Sequence, residues 1–196
     1  MHKSTLAMRL VRRAVLPLAV GVSLLGASTA GATLPAKSLT LAKGTTTLTF
    51  TPAATSKLGA AQATFVPQAP ITSSGSKFTF PIAGGKIDGK TLKGSINHKG
   101  SVGIKVPQLG ATPFGLGTPR ITLSGRGKGA LTFNTVGTLA SVVFSPSSAT
   151  LKGKLLTIKG IKFNLDGGIA KTLKDFGIDV PAGTTVANAV ISATTK

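Results

Sequence analysis

The segment LTIKGIKFNLDGGIAKTLKDFG, Leu156 to Gly177, changes its period once. Its first half sets Ile158, Ile161, Phe163 and Leu165 among polar residues at spacings near two, the pattern of a strand with one buried face. After Asp166 the spacing becomes helical. Ile169, Leu173 and Phe176 fall on one face, while Lys171, Lys174 and Asp175 fall on the other. Asp166 stands where a carboxylate caps a helix by accepting a free backbone N–H. The segment predicts a strand that runs into a short, capped helix.

LTFTPAATSKLG, Leu48 to Gly59, has the same order. Thr51 takes the place of Asp166, and Pro52 fits the first helical position, where no N–H is needed. Leu58 follows Thr51 by seven positions, as Leu173 follows Asp166. Val66-Pro67 and Val180-Pro181 come after the two helices at similar spacing. Two readings stand: an internal duplication of strand, helix and strand, or two unrelated capped helices. Most of the remaining chain alternates at period two. Examples are TTLTFT (Leu48, Phe50), KFTFPI (Phe78, Phe80, Ile82), RITLSG (Ile121, Leu123) and ALTFN (Leu131, Phe133). The fold class is therefore mostly β: an antiparallel β-sandwich-like domain with two short α-helices. SGRGKGAL reads as a hairpin tip. It is no phosphate loop, because Gly129 and Ala130 follow Lys128 where Ser or Thr is required.

The N-terminus joins a basic MHKSTLAMRLVRR to an apolar AVLPLAVGVSLLGA and a small-residue STAGA. Residues 1–30 read as a secretory signal peptide, cleaved after Ala30 or Ala32. Arg12-Arg13 also fits a loose twin-arginine pattern. The apolar run is shorter than the roughly 20 residues of a membrane span. Residues 33–196 are expected to form one domain, either secreted or held non-covalently at the cell surface. The chain has no cysteine, hence no disulfide framework.

Charge narrows the partners. The chain has 23 Lys and Arg against four acids, Asp88, Asp166, Asp175 and Asp179, for a net charge of +19. Lys3, Arg9, Arg12 and Arg13 leave with the signal, which brings the mature charge near +15. Anionic envelope polymers or a membrane surface are the expected electrostatic partners. A solvated lysine surface that serves only solubility is the plainer reading. Specific nucleic-acid binding is not expected, because the cations beyond Arg12-Arg13 come singly along the sequence and Tyr and Trp are absent. Catalysis is not expected either. A Ser–His–Asp site would have to use His98, no Gly-x-Ser-x-Gly elbow occurs, and the four aspartates form no cluster for metal ions.

His98 lies in GSINHKGSVGIKV, Gly94 to Val106, which reads as a strand, a tight turn and a second strand. It shares the parity of Ile96, so it points to the core side at the strand end. It is a structural residue beside a turn, hydrogen-bonded to nearby backbone, or else a ligand for something bound there.

FPIAGGKID, GSINHKGSVGIKV, LTIKGIKFNLDGGIAKTLKDFG and PAGTTVANAVISAT together resemble the HtaA-type domain of exported actinobacterial proteins, over roughly Lys37 to Thr194. The resemblance implies a β-rich fold with short helices, a place at the cell surface, and haem as ligand. In the family pattern a histidine sits in a turn of the form G-x-x-x-H-x-G-G, which His98 matches within Gly94 to Gly100. The family's haem iron is bound through a tyrosine supported by histidine. This chain has no tyrosine, so no residue matches that role. The haem that the resemblance implies would have His98 as its single axial ligand, in a slot lined by the phenylalanines.

Overall fold

The structure, a computed structural model, describes residues 34–107, 110 and 112–196. The signal peptide expected over residues 1–30 lies outside the described residues. Eight strands, numbered along the chain, form one closed antiparallel sheet. In spatial order they are β1 (Ser38–Phe50), β13 (Thr185–Thr195), β12 (Leu155–Leu165), β10 (Gly137–Val143), β9 (Lys128–Phe133), β8 (Pro119–Gly125), β5 (Lys93–His98) and β4 (Lys77–Asp88). The ring closes where β4 pairs back onto β1, from Ser38–Asp88 to Thr49–Lys77. Two short strands, β3 (Thr72–Ser74) beside β4 and β11 (Ala149–Lys152) beside β12, lengthen the walls. The mostly β, antiparallel, sandwich-like class read from the sequence is thus realised as two facing walls of a single sheet.

Eight strands enclose a space that side chains can just fill. Ile87, Ile96, Leu156, Ile158, Ile161 and Ile191 are completely buried there. Ile158 and Ile161 are an odd number of residues apart yet both face inward. A register shift between them, with Gly160 at φ +62°, supplies the extra residue. The SGRGKGAL tip is the β8–β9 turn, with Arg126 and Gly127 both at positive φ.

A second, three-stranded sheet runs in the order β2 (Thr64–Pro67), β6 (Val102–Lys105), β7 (Phe114–Gly117). This corrects one expectation. The two strands in GSINHKGSVGIKV exist, but they do not pair with each other. Both edges of β5 are already taken, by β4 and β8. The chain therefore turns away at Gly100 (φ +82°), and β6 joins the small sheet.

Both capped helices are present: α1 (Pro52–Ala60) and α2 (Gly167–Asp175). Thr51 Oγ1 accepts from Ala54 N at 3.2 Å, and an Asp166 carboxylate oxygen accepts from Gly168 N at 2.8 Å. The strands before them, β1 and β12, flank β13 on its two sides, and Phe50 and Phe163 both stand opposite Ala187. The two helices therefore leave the barrel at the same end. The third part of the expected repeat is not matched. Val66-Pro67 lies in β2, which has β6 to pair with. Ile178 to Val180 forms no strand and buries Ile178 and Val180 against the core instead. Thr51→Ala and Asp166→Ala should each cost about 0.5–2 kcal/mol, read as a drop in the urea midpoint without a change in slope. Asp166→Ala with unchanged stability would show that this carboxylate serves something other than the helix.

Candidate functional site

Two apolar spaces adjoin at the helix end of the barrel. The inner one is a narrow slot within the barrel, lined by Thr46, His98 and apolar side chains including Phe78, Phe80, Phe133 and Phe163. The outer one is an open-mouthed chamber of about 320 Å3 between α1, α2, the small sheet and the barrel rim. Phe50, Phe65, Leu116, Leu139 and Val186 belong to both walls. The helix face read from the sequence, Ile169, Leu173 and Phe176, lines the chamber, and Thr172 is its one polar lining residue. Phe114 stands 49% exposed in this wall.

A run of aromatic rings fills the path between the two spaces. Phe50 and Phe65 stack with centroids 4.9 Å apart, and each meets Phe78 edge-on. Phe78 lies 6.4 Å from Phe80, and Phe80 lies 6.0 Å from the imidazole of His98. Edge-to-face and stacked pairs at these distances are favourable beyond their buried area. Of the nine phenylalanines, only Phe144 lines neither space.

His98 ends β5 inside the barrel and is 4% exposed. Its Nδ1 lies 3.1 Å from the carbonyl oxygen of Pro119, which can only accept, so Nδ1 carries the hydrogen and donates it. Nε2, 2.8 Å from Thr46 Oγ1, is then the acceptor of the threonine hydroxyl. Thr46 is itself 2% exposed, on β1. Burial pushes the His98 pKa down to about 4, only partly offset by its bond to Pro119. The ring is thus neutral, in one tautomer, with both nitrogens engaged. His98 lines the slot and not the chamber. Iron could reach Nε2 only by displacing the Thr46 hydroxyl.

The sequence showed the helix face but not what it faces. Ile104, Val106 and Leu116 carry strand-like alternation, which signals burial. Nothing in that alternation separates a packed core from the wall of a chamber.

No family model matches the chain, and no curated protein matches it. Solved structures do. The C-terminal domain of HtaA from Corynebacterium glutamicum superposes with a TM-score of 0.61 at 16% identity, covering 81% of this chain and 99% of that one. The N-terminal domain of the same protein gives 0.52 at 16% identity, over 79% and 99%. The heme binding protein HtaB from Corynebacterium glutamicum gives 0.51 at 13% identity, over 81% and 96%. The chain has the fold of an HtaA-type domain, as its motifs led one to expect.

Proposed function

We propose that this chain is an exported, non-catalytic binding protein of the cell surface, whose chamber takes haem or another flat apolar ligand. One observation carries the reading: a solvent-open cavity of about 320 Å3 with almost wholly apolar walls, in a fold shared with the heme binding protein HtaB. Ligand pockets commonly span about 300–1,000 Å3 and are mostly apolar, whereas a structural core of this size would be filled.

The fit to haem divides into two parts. The aliphatic and phenylalanine walls suit the flat apolar body. For the iron they offer no side-chain ligand, since the chamber's one polar lining residue is a threonine and His98 lies deeper, bound to Thr46 and Pro119. His98 remains the candidate axial residue. Its use would require the Phe78–Phe80 path to open and Nε2 to exchange a hydroxyl for metal. At the envelope the partner is an anionic polymer or membrane surface, engaged through the positive charge of the mature chain.

Hemin titrated into the mature protein in high salt should give a saturable, stoichiometric Soret change. Thr46→Val, which frees Nε2, should strengthen hemin binding if His98 ligates the iron and leave it unchanged if the chamber alone holds the ring. A spectrum that stays that of free hemin would sink the reading.

A further inference from the structure

The cations that come singly along the sequence are brought together by the closed sheet. At the barrel end opposite the helices, Lys37 precedes β1, and its carbonyl accepts from Gly89 in the β4–β5 turn, which also carries Lys90 and leads to Lys93. Beside them stands the β8–β9 tip, with Arg126 and Lys128, where Lys93 pairs with Ser124. The β11–β12 turn adds Lys152 and Lys154, and the carbonyl of Lys154 accepts from Thr195, next to Lys196. All eight side chains are exposed. One acid shares this end, Asp88, and its carboxylate accepts from both the N–H and the hydroxyl of Thr91 at 2.7 Å. The other three aspartates are at the helix end, among Lys57, Lys77, Lys99, Lys105, Lys171 and Lys174.

A shallow groove climbs the outer wall from this basic end across β4, β5 and β8. Its walls carry Lys86, Lys93 and Arg120, the hydroxyls of Ser38, Ser95 and Thr122, and Asp88. Cations spaced along a concave surface with hydroxyl donors between them suit a chain of oxyanions. The chain's lack of tryptophan and tyrosine tells against a bilayer, where such residues anchor at the interface. The one large apolar side chain exposed in the β11–β12 hairpin is Leu155. This is too little for insertion.

We propose that the helix-free end, with this groove, is the surface by which the protein docks on an anionic envelope polymer of closely spaced phosphate or carboxylate groups. Docking there leaves the chamber, at the opposite end, facing outward. The proposal rests on the reading that positive charge engages the envelope, and it adds where and with what.

The test compares two variants of the mature protein with equal loss of charge. K86Q/K93Q/K128Q/K154Q removes four cations at the basic end, and K57Q/K77Q/K171Q/K174Q removes four at the helix end. Probes are long-chain inorganic polyphosphate, polyglutamate, and vesicles of phosphatidylcholine with phosphatidylglycerol, after thermal melts have shown both variants folded. The basic-end variant should bind the polymers about tenfold more weakly, and the helix-end variant by less than about twofold. Should the quadruple variant not fold, K93Q/K128Q should still weaken binding about threefold. The relative response to polyphosphate and polyglutamate separates the two oxyanion sources. Equal losses in the two variants would overturn the localisation while leaving a diffuse charge effect standing. Vesicles bound in preference to both polymers would replace the polymer with a membrane. A wild-type protein that binds none of the three would end both the proposal and the charge reading beneath it.

Discussion

Taking the protein from pH 7 to below pH 4 should cost it about 3 kcal/mol through His98 alone. In the unfolded chain this imidazole titrates near its ordinary value of 6.5, while in the folded barrel it does so at about 4. Between those values the unfolded state binds the extra proton and the folded state does not. Stability is therefore complete above pH 6.5, declines as pH falls through the interval, and levels off below 4. The cause is burial. Protonating Nε2 would set a charge among Phe80 and its neighbours, out of reach of water, and would gain only the Thr46 hydroxyl, turned from donor to acceptor, in compensation. Urea midpoints measured from pH 7 to 4 should fall steadily in the native protein. They should be nearly flat over that range in His98→Gln, which will itself be less stable. A native profile without slope between pH 6.5 and 4 would mean that the ring is hydrated and the slot open.

Gly94→Ala should be severely damaging, costing about 3 kcal/mol or preventing folding outright. Gly94 has φ +150°, and a Cβ there would press on the carbonyl oxygen of Lys86 and lie 2.8 Å from Ile87 Cα. Those are backbone atoms of the neighbouring strand, where Gly94 pairs with Ile87, so relief requires β4 and β5 to part. Gly137→Ala is the control. It also has positive φ, at +79°, but no atom lies within 4 Å of the added methyl. Only conformational strain remains there, about 1 kcal/mol. Thermal melts of the two variants should differ widely. Similar melting temperatures would show that the β4–β5 seam yields more easily than its packing indicates.

Much of the local structure was legible. Period two turns Leu48, Phe78, Phe80, Ile121, Leu131 and Phe163 inward, and all are buried. Thr51 and Asp166 stand at capping positions in the sequence and do cap. Parity sets His98 on the side of Ile96, and both are buried. These succeed because alternation and capping depend on residues within about one turn or one pleat of each other. The pairing of β6 was not legible. Lys99-Gly100 looks like the centre of a hairpin, and only the occupancy of both edges of β5 shows that no hairpin can form there.

What the sequence by itself determined is the set of elements: which stretches are strands, where two helices begin, which residues turn inward, and that the surface is strongly positive. Each follows from local periodicity, local hydrogen bonding or a simple count. Only the tertiary structure decided that the sheet closes through β1 and β4, which joins residues some 40 positions apart. Closure in turn put both helices at one end, left a chamber beneath them, tied His98 to Thr46 across 52 residues, and drew cations from positions 37 to 196 to the opposite end. The physical reason is common to all of these. Strand pairing through backbone hydrogen bonds is nearly independent of side-chain identity, so order and register are settled by which edges and faces remain unsatisfied once the whole chain is packed.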